Sequence, residues 1–289
     1  MWVLATLIAA LAQTGRNAAQ AGMVAQVGTF GATAVRFIFG LPFAVLFLLA
    51  LSLWQPVPTI SLPMIGWTAL GAAAQIGATA FMLLTMRGQG FGVATALMKT
   101  EPVTLAIIGA VFLAEPLGPA RMTAILLAVL GVILISGVQL SRRNARNILT
   151  GITAGALFGL SAIGFRLAVL TPETGHTILR ASLVLAIGLA LQTLVLLIWL
   201  GLRDRTTMAA ILRSWRVSTM AGALGAFASL FWFVGFALTS AANVRTLALI
   251  EVFFAQILSA RLFRQSTTPH QLAGIALILA GVILLIRVA

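Results

Sequence analysis

The sequence predicts an all-α integral membrane protein of ten transmembrane helices, arranged as two inverted five-helix repeats. Three observations carry that prediction. Hydrophobic residues make up 61% of the 289 positions and charged residues only 8%, whereas an ordinary soluble domain carries roughly 25% charged residues, so this chain cannot supply a polar surface. Its apolar runs repeatedly reach the roughly 20 residues that a helix needs to cross the hydrocarbon core. They do not alternate polar with apolar as the strands of a membrane barrel would; Ala124 to Ile135 is continuously apolar. Finally, the chain matches itself when shifted by 150 residues. Glu101 falls on Glu251, Phe81 on Phe231, Arg16 on Arg166 and Pro119 on Pro269, and Gly131–Leu134 falls on Gly281–Leu284 without a gap. An odd number of spans per half obliges the halves to insert with opposite orientation, a recurrent architecture of transporters.

Pro, Gly and charged clusters punctuate the apolar runs and predict spans at 1–22, 29–53, 62–86, 91–113, 119–140, 147–168, 175–200, 214–238, 242–263 and 268–288. The first run, Met1 to Ala12, has no basic stretch before it and no small-residue cleavage pattern after it, so it is expected to be half of a retained helix. Residues 1–140 form the first repeat and 147–289 the second, joined by a basic linker at 141–146. The polar stretches Ser141–Asn147 and Arg203–Arg216 are too short for a soluble domain. Any activity therefore belongs in the membrane or at its faces.

The formal charge of +13 comes from arginines in short loops and at span ends, where they meet anionic headgroups. They form no continuous basic face, so a nucleic-acid partner is not expected; membrane lipids are. With no cysteine, disulfides and thiolate metal sites are excluded, and His176 and His270 are too few to build a metal site. Neither a metal nor a cofactor is expected. No Walker pattern is present, so ATP-driven pumping would need another subunit. Five acids and two separated histidines also argue against a membrane-embedded, lipid-modifying enzyme.

A charge at the bilayer centre costs roughly 2.5–3.5 kcal/mol on insertion scales, so each one asks for a reason. Lys99 and Glu101 fall near the middle of 91–113, and Glu251 near the middle of 242–263. Lys99 is the one lysine against 17 arginines, and lysine, unlike arginine, loses its proton readily when desolvated. Lys99 and Glu101 stand two positions apart, about 200° around a helix, so each needs a partner on another element. Two readings stay open: midplane carboxylates that bind a cationic group or a proton, and buried ion pairs that fix packing. Pro102 is expected to kink the span at this point.

Arg16 and Asn17 lie in a polar stretch, Gln13–Asn17, expected to interrupt the first helix. With Arg166 and Arg245 they are candidates for a substrate carboxylate or for snorkelling to a headgroup. Gln75, Trp232, Trp67, Phe81 and Phe236 are candidate lining residues.

The segments Val27–Phe37, Lys99–Pro116, Ala237–Thr246 and Leu272–Gly281 resemble the EamA-type, ten-helix members of the drug/metabolite transporter superfamily, over essentially the whole chain. Gln265 stands where the second-half counterpart of Glu115 is expected, and Ala12–Gly15 replaces a usual aromatic residue. The resemblance implies an alternating-access secondary transporter of small organic solutes such as amino acids, other metabolites or drugs. It commonly implies an exporter. The expected carrier lies in a cell's inner membrane and exports small zwitterionic or cationic organic molecules, with exchange for a proton at a midplane carboxylate as the coupling; a passive facilitator is the alternative. Counting Lys and Arg places the loops carrying Arg142, Arg143, Arg146, Arg203, Arg205, Arg213 and Arg216 in the cytoplasm and both termini outside. The resemblance implies cytoplasmic termini instead.

Overall fold

A computed structural model describes residues 1–89, 97–136, 145–251 and 268–288. All regular structure among them is helical: α1 Trp2–Ile38, α2 Gly40–Ser52, α3 Leu62–Gln89, α4 Glu101–Phe112, α5 Pro119–Ser136, α6 Ala145–Leu170, α7 Thr177–Arg203, α8 Arg205–Arg213, α9 Trp215–Leu238, α10 Ala241–Leu247 and α11 Pro269–Val288. Five described helical stretches are long and apolar enough to cross a membrane: Phe30–Ser52, Ile148–Leu170, Thr177–Arg203, Trp215–Leu238 and Pro269–Val288. Glu101–Phe112 and Pro119–Ile135 are shorter apolar helices. Parts of three predicted spans, at 91–96, 137–140 and 252–263, lie outside the described residues, as does most of the 141–146 linker.

Two expectations about breaks are corrected. The Gln13–Asn17 stretch does not interrupt the first helix, which stays helical to Gly28. The Thr14 hydroxyl donates to the Ala10 carbonyl at 2.9 Å, satisfying a polar group within the helix rather than against it. The interruption falls instead at Gly28, with φ 69° and ψ 171°, a conformation that L side chains resist. This lies in the 23–28 gap between the first two predicted spans. The second correction concerns Arg203–Arg216, expected as a loop. Asp204 caps α8 by accepting from the Thr207 amide at 3.0 Å, and α8 buries Ile211 while its arginines stay at the ends. A short helix with that pattern suits a membrane–water interface.

The helices form two compact units, neither of which is a sequence half. One comprises Met1–Ile76 and Gly164–Leu238, the other Gly77–Ile163 and Thr239–Ala289, so the division falls within α3 and α6. In the first, α1 packs along α9, and α2 against α7 and α9. In the second, α5 packs along α11 and α4 against α10. Each unit thus joins equivalent pieces of both repeats.

The α5–α11 seam shows how the repeat is used. A Cβ added to Gly131 would lie 2.5 Å from the Gly274 carbonyl oxygen, and one added to Gly281 would lie 2.6 Å from that of Ala124. Since 124 and 274, like 131 and 281, are 150 apart, this is one contact made twice about a local two-fold relation. Without a hydrophobic drive between helices in lipid, such small-residue approach supplies the packing.

Candidate functional site

In the second unit, the sequence places two glutamates 150 residues apart, and the backbone treats them alike. Residues 97–98 are helical, 99–100 form a turn, and α4 begins at Glu101. On the other side α10 ends at Leu247, 248–249 form a turn, and helix resumes at 250–251. Each turn is closed by tight i→i−3 bonds. The Thr100 amide donates to the Leu97 carbonyl at 3.3 Å, and the Val103 amide to that of Thr100 at 3.0 Å. Likewise the Leu249 amide donates to the Thr246 carbonyl at 3.1 Å, and the Glu251 amide to that of Ala248 at 3.0 Å. Such tightened stretches interrupt the regular i→i−4 ladder at both glutamates. Pro102 does not act as a mid-helix kink: it sits in the first turn of α4, where its missing N–H is an orphan donor in any case.

The carboxylates are paired crosswise. Glu251 pairs with Lys99, and Glu101 lies 3.1 Å from the Arg245 Nε. Each anion therefore takes its cation from the other repeat, and Lys99 and Glu101 do find partners on different elements. The side chains keep 18% and 10% exposure in the first pair, 17% and 12% in the second, so all four are largely withdrawn from solvent. Two anions and two cations make the cluster electroneutral. The carboxylates obey the repeat, but the cations do not: Leu249 and Thr95 stand 150 residues from Lys99 and Arg245. Arg245 and Glu101 are close without the alignment of a hydrogen bond through those atoms. Nearby, the Asn243 amide nitrogen donates to the Thr239 hydroxyl at 3.0 Å, while its oxygen is buried and meets no hydrogen-bond partner among the described residues.

Phe81 is half-buried on the part of α3 that belongs to the second unit; the other candidates belong to the first unit. Arg166 donates to the Phe236 carbonyl, near the carboxyl end of α9, where a cation offsets the helix dipole. Trp232 is buried and its indole donates to the Gln13 side chain at 3.2 Å. Gln75 accepts from Gln192 at 2.7 Å. Arg16 is buried, and the Asn17 side chain lies outside those described. Of the aromatic candidates, Phe236 is fully buried, while Trp67 is exposed and suits a lipid contact.

A small cavity opens beside these residues, with a volume of about 20 Å³, room for a water or a small polar group. Gln75, Gln192, Arg36, Phe37, Gly225 and Ser229 are among its lining. Gln192 and Arg36 were not among the expected site residues. Gln192 carried a usable signal, a single amide within the predicted span 175–200; Arg36 entered only through the Val27–Phe37 segment.

The model of the EamA-like transporter family matches residues 1–137 and again 146–287. The chain belongs to the EamA-like transporter family. The double match agrees with the repeat read at an offset of 150, and with it this protein is a membrane-embedded member of a transporter family. A solved structure described only as a crystal structure of a protein is similar, at 17% identity, with a TM-score of 0.76 over 99% of this chain and 96% of that one. That likeness extends to the fold. No curated protein matches the chain.

Proposed function

We propose that this EamA-like protein is an alternating-access carrier in a cell's inner membrane. It exports small organic solutes and couples their movement to a proton at the paired carboxylates. The observation that carries the proposal is the crosswise pairing of Lys99 with Glu251 and of Arg245 with Glu101 at two matched helix breaks. A neutral cluster at hinges can exist in two states of similar energy. Protonating one carboxylate releases its cation, and the turn beside it is then free to change conformation. The two pairs are not equal partners in this. Arginine holds its charge under all physiological conditions, whereas lysine exchanges its proton, so Lys99–Glu251 is the pair that opens and Arg245–Glu101 the one that stays made.

The test uses purified protein in liposomes with an imposed pH gradient, offered a mixture of amino acids, organic acids, amines and cationic dyes. Accumulated solutes are identified by mass spectrometry. Wild type accumulates a subset of them against the gradient, and Glu251→Gln abolishes that accumulation. Uptake that ignores the gradient and survives Glu101→Gln and Glu251→Gln would sink proton coupling and favour a passive facilitator.

A further inference from the structure

We propose that α8, with the ends of α7 and α9 that flank it, is a docking surface for the headgroup of an acidic phospholipid. The surface lies wholly within the first unit, and its binding chemistry is independent of whether the protein carries solutes.

The residues of α8 divide between two sides. At about 100° per residue, Thr207 and Ile211 face one way, and Arg205, Ala209, Leu212 and Arg213 face the other. The first side is packed. Ile211 is fully buried, and a Cβ built on Gly31 of α1 would lie 2.9 Å from the Thr207 Cγ. The second side is open, with all four of its residues exposed. Two arginines beside a leucine match neither bulk water nor hydrocarbon. They match the headgroup layer, where a guanidinium meets phosphate and an aliphatic side chain meets the first methylenes.

The neighbouring helix ends mark the same layer. Trp199 stands four residues before the end of α7 at Arg203, and Trp215 opens α9 with Arg216 beside it. Both tryptophans are exposed, as interfacial indoles are. Phe30, two residues beyond the Gly28 break, packs on Trp199 with ring centroids 4.6 Å apart.

Four arginines and one acid stand between Arg203 and Arg216. The acid, Asp204, spends its carboxylate on the Thr206 hydroxyl and the Thr207 amide, so it neutralises none of the four. Arg205 donates through Nε to the Gly201 carbonyl at 2.9 Å, which leaves its two terminal amino groups for an outside acceptor. Arg216 lies 5.5 Å from the Trp215 ring. Arg203 and Arg213 are exposed and donate to no protein acceptor among the described residues. Guanidinium forks of this kind suit phosphate oxygens. The other end of α7 differs. Its 27 residues reach about 40 Å, to an exposed Glu173 and His176, and Arg180 there is turned to the Pro172 carbonyl at 3.0 Å. An acidic lipid therefore has a place at one end of this unit and not at the other. Because Gly31 lies three residues past the Gly28 break, a lipid that holds α8 also braces α1, and its binding should be felt in the melting of the unit.

Purified full-length protein in a neutral maltoside is melted by the fluorescence of its six tryptophans. The micelles are doped with phosphatidylglycerol or with phosphatidylcholine of the same chains, or inorganic phosphate is added instead. Phosphatidylglycerol raises the melting temperature saturably; phosphatidylcholine and free phosphate do not. Arg205→Gln with Arg213→Gln weakens the apparent affinity for phosphatidylglycerol about tenfold or more. Arg203→Gln with Arg216→Gln does the same, and it carries the test should the first pair fail to give a cooperative melt. Arg121→Gln with Arg287→Gln removes the same charge from helices of the second unit and leaves the affinity unchanged. Equal stabilisation by phosphatidylcholine, an effect reproduced by free phosphate, affinity that survives both pairs of substitutions, an equal loss in the Arg121 and Arg287 control, or no stabilisation by any probe overturns the proposal.

Discussion

The two compact units are assembled from equivalent pieces of the same repeat, yet they handle charge in opposite ways. The unit holding α4, α5, α10 and α11 carries two of its three glutamates, Glu101 and Glu251, within helices and neutralises them crosswise with Lys99 and Arg245. The unit holding α1, α2, α7 and α9 carries arginines on its helices and places its acids in connections. A repeat therefore fixes backbone breaks and glycine seams twice, because both serve packing. It leaves single charges free to diverge, because one neutral cluster and one cationic unit ask for different side chains at equivalent places.

The comparison is tested most severely by breaking a pair. Glu251→Leu strands Lys99 in a largely desolvated position and is expected to cost about 3–5 kcal/mol. Adding Lys99→Met to it should recover most of that loss, since a well-packed apolar pair replaces the ions; thermal unfolding in detergent reads both. A double variant no more stable than Glu251→Leu would show that the pair is not an isolated unit. Next in size is the seam shared by the repeats. Gly131→Val forces a side chain against the Gly274 carbonyl, and a cost of about 1–3 kcal/mol is expected from overpacking, with Gly281→Val similar because the contact is the same one. Strongly unequal melting shifts would break the local symmetry. In the cationic unit the bond between Gln192 and Gln75 is neutral on both sides and should be cheap. Gln192→Leu is expected to cost about 0.6 kcal/mol, the average for such bonds between membrane helices. The smallest effect lies outside the membrane. Asp204 accepts from the Thr207 amide and the Thr206 hydroxyl, which hold its carboxylate below the ordinary value of 3.8. Its folded value being depressed, its stabilisation is present above 3.8 and fades as pH falls through the lowered value. Proteolysis of the Arg203–Arg216 region should therefore separate wild type from Asp204→Ala at pH 5, and separate them less near pH 2.

Much of this was legible from residues alone. The helical class followed from apolar runs, the repeat from a small set of coincidences at one offset, and the need of Lys99 and Glu101 for separate partners from 100° per residue. Ion pairing of Glu251 with Lys99 and of Glu101 with an arginine was one of the two open readings. What the sequence did not carry was contact between units of chain far apart. The polar stretch at Gln13–Asn17 looked like a break because its hydroxyl and amide had no visible partner; Ala10 and Trp232 supply them. The turns at 99–100 and 248–249 sit in helix-compatible residues, and only Pro102 hinted at the first. Arg36 was not singled out, because nothing in its neighbourhood along the chain announces Gly225 or Gln192. The compact units likewise interleave the halves, which no local pattern encodes.

The central claim is that Lys99 and Glu251 form the pair through which transport works. The most direct measurement is solute flux in proteoliposomes under a pH gradient for Lys99→Glu, Glu251→Lys and the two combined. Each single variant places like charges face to face and is expected to abolish flux, while the swap restores the pair and recovers a measurable part of it. A swapped protein that folds like wild type and transports no better than either single variant would contradict the account.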